Sequence, residues 1–177
     1  MAISTSFDIQ EALAYALSCV KQEGLILKEQ QVRALKLLSE GRDVFVWFPT
    51  GYGKSLCYQL LPFLMDYKLG RTKGPLVARS VVFVISPLVS LMIDQVRSLN
   101  TGGVSAAILS SNKGIDRSLV ATNKDVSDGK YCLLFTAPEA VVEDYLSLED
   151  AITRASTQFL FSGNSCGRST LCLQVEL

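Results

Sequence analysis

Four short runs rich in β-branched and aromatic residues punctuate this chain: DVFVW at 43–47, SVVFVIS at 80–86, VSAAIL at 104–109 and YCLLFT at 131–136. Stretches with helical spacing stand before, between and after them. Ile9, Leu13, Ala16, Leu17 and Val20 line one face over 8–22. Val32, Leu35 and Leu38 do the same over 29–40, with Gly41 as a stop. KSLCYQLLPFLMDY reads as a helix kinked at Pro62, LVSLMIDQVRSL at 88–99 as another, 115–125 as a weaker one, and a last runs from Pro138 to about Leu148. Strand and helix in alternation predict an α/β fold, a parallel sheet with helices on both faces. GRTKGP at 70–75 reads as a loop. The final STQFLFSGNSCGRSTLCLQVEL keeps no period, which predicts one or two short strands or poor order.

The chain has 177 residues, 49% of them apolar, which suffices for one domain with a core. It has no histidine, and its five cysteines form no Cys-x-x-Cys pair, so a Cys/His zinc site is excluded and free thiols are expected. A formal net charge of zero gives no bulk electrostatic support for nucleic-acid binding and leaves only a local patch. No apolar run reaches the roughly 20 residues of a membrane span. The start MAISTSFDIQ lacks a basic region and carries Asp8, so no secretory signal is expected and the predicted location is the nucleus or cytoplasm.

FPTGYGKS at 48–55 joins the first run to the helix that follows it. A strand, a Gly-rich turn and a helix opening at Lys-Ser is how backbone N–H groups are made to converge on a phosphate, with the helix dipole adding to the field. Gly51 and Gly53 allow close approach and positive φ. In this reading the turn and helix start, Thr50, Gly51, Tyr52, Gly53, Lys54 and Ser55, hold the phosphates of a nucleotide, Lys54 reaching the β- and γ-phosphates and Ser55 the magnesium ion. Phe48 stands where the general pattern has a glycine. The plain alternative is Gly-Lys-Ser in an ordinary strand-to-helix turn.

FPTGYGKSLCYQLLPFL resembles the first ATPase motif of the RecQ-type DNA helicases of superfamily 2, which also carry an apolar residue before Pro-Thr-Gly. LKEQQVRAL resembles the preceding motif of that family, with Lys28 and Gln31 at its basic and glutamine positions. The resemblance implies that the nucleotide is ATP and that Gln31 reads the adenine edge; Gln30 competes for the role, and a solvated helix glutamine is the alternative without the neighbouring motifs. The aromatic that stacks on adenine in the family has no counterpart in EGLI before Lys28. VISPLVSLMIDQV and LLFTAPEAV resemble the two motifs that face DNA. They imply nucleic-acid contacts at Pro87, Leu88, Ser90 and Gln95, and at Ala137, Pro138 and Glu139. The implied fold is the RecA-like P-loop lobe, and the implied partner is DNA, as a single strand or fork, with no membrane.

The same resemblance implies an Asp-Glu-Ala-His stretch downstream, to hold magnesium and orient water. VVEDYLSLEDAITRAS and the residues after it contain no Asp-Glu pair. Glu143, Asp144, Glu149 and Asp150 fall on an expected helix and read as a solvated face. No catalytic residue is therefore identified. The expected organisation is a helical lead-in over 1–28, a partial ATP-binding lobe over 29–150, incomplete before its magnesium acid and without a second lobe, and a divergent tail over 151–177. Two further readings stand beside the helicase lobe. One is a non-catalytic nucleotide- or nucleic-acid-binding fragment or regulator. The other is an unrelated P-loop nucleotide kinase using Asp94, whose apolar prefix resembles a strand but whose neighbours Leu88, Leu91, Met92 and Val96 keep helical spacing.

Overall fold

The computed structural model describes residues 7–70, 72, 80–110, 114–143 and 172–174. Helix α1 spans Ile9–Cys19 and starts where the Asp8 carboxylate accepts the Gln10 amide at 2.7 Å. It buries Ala12, Leu13, Ala16 and Leu17 along one stripe. Helix α2, Glu29–Ser39, buries Ala34, Leu35 and Leu38. Helix α3, Lys54–Lys68, packs against both, and Leu60, Leu61 and Leu64 are fully buried in it. It continues through Pro62 to Lys68.

The sheet is parallel. Strands β1 (Val82–Ile85), β2 (Ala106–Leu109), β3 (Leu133–Thr136) and β4 (Cys172–Gln174) lie in the order β2-β3-β1-β4. Helix α4, Val89–Thr101, connects β1 to β2; α5, Asn123–Ser127, precedes β3; and α6, Pro138–Glu143, follows it. Successive strand side chains alternate between faces. Val82, Val84, Ala106, Ile108, Leu133 and Phe135 join the larger core with α1, α2, α3 and α4. Phe83, Ala107 and Leu134 join a smaller one closed by Val126 of α5. Both faces are thus covered, as the unbroken apolar runs required. The buried Asp66 carboxylate at the far end of α3 accepts both the amide (3.0 Å) and the hydroxyl (2.6 Å) of Ser80, fixing that helix to the entry of β1.

Two expectations are corrected. DVFVW is not a buried strand: 42–49 carry no regular structure, and Phe45 and Trp47 are 83% and 84% exposed. A strand is stabilised only beside another strand, and this segment pairs with none of the described strands. The segment runs instead along α2, where it and Gln30, Arg33, Ala34 and Leu37 line a cavity of about 400 Å³. The helix expected over 115–125 is two pieces, a 3-10 turn at Arg117–Leu119 and α5. Asp116 accepts the Ser118 amide and Thr122 the Asp125 amide, so each piece has its own cap, and Val120 between them bridges Ile108. The helix expected to reach Leu148 is described to Glu143. Most of the loop at 70–75, the acids Asp144, Glu149 and Asp150, and the tail apart from β4 lie outside the described residues. Among the described residues, no helix is long and apolar enough to cross a membrane.

Candidate nucleotide site and nucleic-acid face

Pro49 to Gly53 turn sharply ahead of α3. Gly51 has φ +78° and Gly53 φ +88°, the left-handed region that glycine occupies without a Cβ clash. The Tyr52 amide is used inside the turn, donating to the Pro49 carbonyl at 3.1 Å. The amides of Gly51, Gly53, Lys54 and Ser55 donate to no backbone carbonyl of the described residues. They stand together at the start of a 15-residue helix, where donors and dipole favour an anion. Lys54 and Ser55 are half-buried beside them. The Lys54 ammonium donates to the Phe48 carbonyl at 2.9 Å, back across the turn it would share with a phosphate. The donor set fits a phosphate group: amides, one ammonium and one hydroxyl.

Residues 28–31 bear on this loop more closely than the sequence suggested. Gln31 is 2% exposed, and its amide is fully engaged. Its Oε1 accepts the Lys28 amide at 2.8 Å, and its Nε2 donates to the Tyr52 carbonyl at 3.0 Å and the Gly53 carbonyl at 3.1 Å. It braces the turn at Tyr52 and Gly53. The Lys28 ammonium sits 3.6 Å from the centroid of the Tyr52 ring, whose hydroxyl donates to Gln30 Oε1 at 2.5 Å, and Phe48 packs on the same ring. Tyr52 is thus held by both Lys28 and Gln30. Nothing in the spacing of LKEQQ revealed that contact, because it depends on how the loop folds back over α2.

The two stretches expected to face nucleic acid meet. β1 and β3 are neighbours in register, Ile85 beside Thr136, and the Ser86 amide donates to the Thr136 carbonyl at 3.0 Å. Pro87, Leu88 and Ser90 follow β1, while Ala137, Pro138 and Glu139 follow β3, so both groups lie at the same carboxyl end of the sheet. Pro87, Leu88, Ser90 and Glu139 are exposed; Ala137 and Pro138 are half-buried. Gln95 departs from this face. It lines a small cavity of about 80 Å³ together with Lys54, Ser55, Tyr58, Ser86 and Phe135, and its Oε1 accepts the Tyr58 hydroxyl at 3.0 Å. Burial pushes the Tyr58 phenol above its ordinary pKa, and the Ser55 and Gln59 side chains partly offset this. Sequence reasoning passed over Tyr58; its signal was a polar group three and four residues after Ser55 and Lys54, on the same helix face.

Asp94 is exposed on α4, away from that cavity, and not at a strand end. Among the described residues, no three acidic, cysteine or histidine side chains cluster as metal ligands. Cys19, Cys57 and Cys132 are free and buried, as core fillers should be.

Comparison with known proteins bears on the same span. The family model for DEAD/DEAH box helicases matches residues 28–158. The chain is 38% identical over 114 residues to the ATP-dependent helicase SGS1 of Saccharomyces cerevisiae, covering 64% of this chain and 7% of that protein. It is 34% identical over 115 residues to the ATP-dependent DNA helicase RecQ of Haemophilus influenzae, covering 65% of this chain and 16% of that one. It is 35% identical over 146 residues to the ATP-dependent DNA helicase hus2/rqh1 of Schizosaccharomyces pombe, covering 78% of this chain and 10% of the relative. The chain therefore spans a small part of these relatives, 16% at most. The Gly-rich turn, the paired strand ends and the family match fall within one span, and the chain belongs to the DEAD/DEAH box helicase family, in which its likeness is to RecQ-type helicases.

Proposed function

We propose that these residues form the ATP- and DNA-binding lobe of a RecQ-type, ATP-dependent 3′-to-5′ DNA helicase. The observation that carries this reading is the set of amides at Gly51, Gly53, Lys54 and Ser55 that donate to no backbone carbonyl of the described residues, at the head of a helix whose Lys54 and Ser55 line one cavity with Phe135 of β3 and Ser86 just after β1. The loop residues Thr50 to Ser55 hold the phosphates, with Ser55 toward magnesium. Lys28 and Gln31 border the base. Pro87, Leu88, Ser90, Ala137, Pro138 and Glu139 meet the phosphodiester backbone of one DNA strand. Gln31 reaches an adenine only by exchanging its present bonds to the loop, so base recognition and loop shape are one event.

Binding and turnover separate in this chain. A loop and helix dipole bind phosphate, whereas hydrolysis needs a carboxylate on magnesium and another on the attacking water. The sequence has neither an Asp-Glu pair after β3 nor any histidine. The lobe is therefore expected to bind MgATP and single-stranded DNA with negligible ATPase activity. Equilibrium binding of both ligands, paired with a phosphate-release assay, tests this. Lys54→Ala should weaken ATP binding by at least about tenfold, since it removes a charge-assisted contact of roughly 1.5–3 kcal/mol. DNA-stimulated hydrolysis that disappears in Lys54→Ala would contradict the non-catalytic part. ATP affinity unchanged by Lys54→Ala would contradict the site.

A further inference from the structure

Tyr58 joins α3 to both α4 and β3. It lies one turn along α3 from Lys54 and Ser55 and is 4% exposed. Its hydroxyl donates to Gln95 Oε1 at 3.0 Å, in the helix that carries Ser90. Its ring meets Phe135 edge-on at 5.9 Å between centroids, in the strand that leads into Ala137 and Pro138. No other side chain lining the small cavity beside Ser55 makes both contacts among the described residues. Packed interiors are bistable and not soft, so a shift at one wall is passed to the others.

We propose that Tyr58 is a positioning residue that couples occupancy of the phosphate loop to the grip of the sheet's carboxyl end on single-stranded nucleic acid. The proposal rests on the nucleotide and nucleic-acid reading above. The Lys54 ammonium donates to the Phe48 carbonyl. A triphosphate draws Lys54 off that carbonyl and reseats the first turn of α3. Tyr58 moves with that turn, and its hydroxyl carries α4 along through Gln95. Its ring bears at the same time on Phe135, so the segments after β1 and β3 are reset together. Tyr58 itself meets neither ligand. A buried tyrosine that only satisfies its hydroxyl would add to stability and leave the two binding events independent.

Linkage separates these cases, because coupling between two sites is reciprocal. The affinity for MgATP is measured with and without a saturating fluorescein-labelled oligothymidylate, in the full chain. In the wild type the oligonucleotide should change ATP affinity by at least about fivefold, the lower end of ordinary coupling. Tyr58→Phe keeps the ring on Phe135 and removes only the hydroxyl. It should bind each ligand alone within about twofold of wild type while linkage falls below about twofold. Wild-type linkage persisting in Tyr58→Phe overturns the proposal, as does a wild type that binds both ligands without linkage; in both cases the site itself stands. Failure of the wild type to bind either ligand overturns the underlying reading and this proposal with it. Amide hydrogen exchange on the wild type needs no variant: MgATP should alter protection across Val89–Thr101, and indifference of that helix to ATP sinks the coupling even if Tyr58→Phe fails to fold.

Discussion

Lys54 and Gln31 are both occupied by the loop they would serve. The Lys54 ammonium lies on the Phe48 carbonyl, and the Gln31 carboxamide spans Lys28, Tyr52 and Gly53. A phosphate outcompetes a neutral carbonyl for the ammonium, because charge-assisted bonds are roughly twice as strong. Gln31 has more to give up, with three neutral bonds of about 0.5–1.5 kcal/mol each. Gly53 sits where both meet. A Cβ there would lie 2.6 Å from Gln31 Nε2, on backbone already at φ +88°. Gly53→Ala should therefore destabilise the fold by about 1–3 kcal/mol, read as a lower urea midpoint. A midpoint equal to wild type would mean that the loop does not hold this shape in solution. At this scale the sequence disclosed the turn itself, since Gly51 and Gly53 occupy the left-handed region that the residue type allows and Lys54 opens the helix. It did not disclose what braces them. The hold of Lys28 and Gln30 on Tyr52, and of Tyr58 on Gln95, are contacts 22 or more residues apart, set by packing.

Elements were legible where burial and spacing agreed. The three strands β1, β2 and β3 and the four longest helices appear where the apolar pattern places them, because both faces of the sheet are covered, α1, α2 and α4 each bury one apolar stripe, and α3 is buried on all sides over Leu60–Leu64. DVFVW shows where that logic stops. Val44, Val46 and Phe48 are half-buried while Phe45 and Trp47 are exposed, a strand's alternation without a strand's partner. Local pattern carries β-propensity, but the neighbour that realises it comes from elsewhere in the chain. Trp47 is the chain's one tryptophan, so its emission reports this segment alone. It should resemble that of a solvated indole and be readily quenched by acrylamide. Trp47→Ser should shift stability by no more than about 0.5 kcal/mol, as exposed positions do. Leu61→Ala, in the fully buried middle of α3, should cost about 2–5 kcal/mol by equilibrium urea unfolding. A blue-shifted, protected Trp47 would show the segment paired in the sheet.

At the scale of the molecule, one end of a parallel sheet gathers the chemistry. The carboxyl ends of β1 and β3 carry the segments proposed to meet nucleic acid, the start of α3 carries the turn proposed to hold phosphate, and Tyr58 bonds from α3 to Gln95 of α4. Ligands of open α/β sheets bind at this end for a geometric reason: strands deliver their loops there, and the following helices point their N-termini at it. The central claim is that free amides at the head of α3 form an anion cup for a nucleotide's terminal phosphates. Titrating MgATP into ¹⁵N-labelled chain and following the backbone amides of Gly51, Gly53, Lys54 and Ser55 tests it most directly. These four resonances should shift together and saturably, and Lys54→Ala should weaken the response. If ATP leaves them in place, or shifts only amides remote from α3, the phosphate site is not where this account puts it.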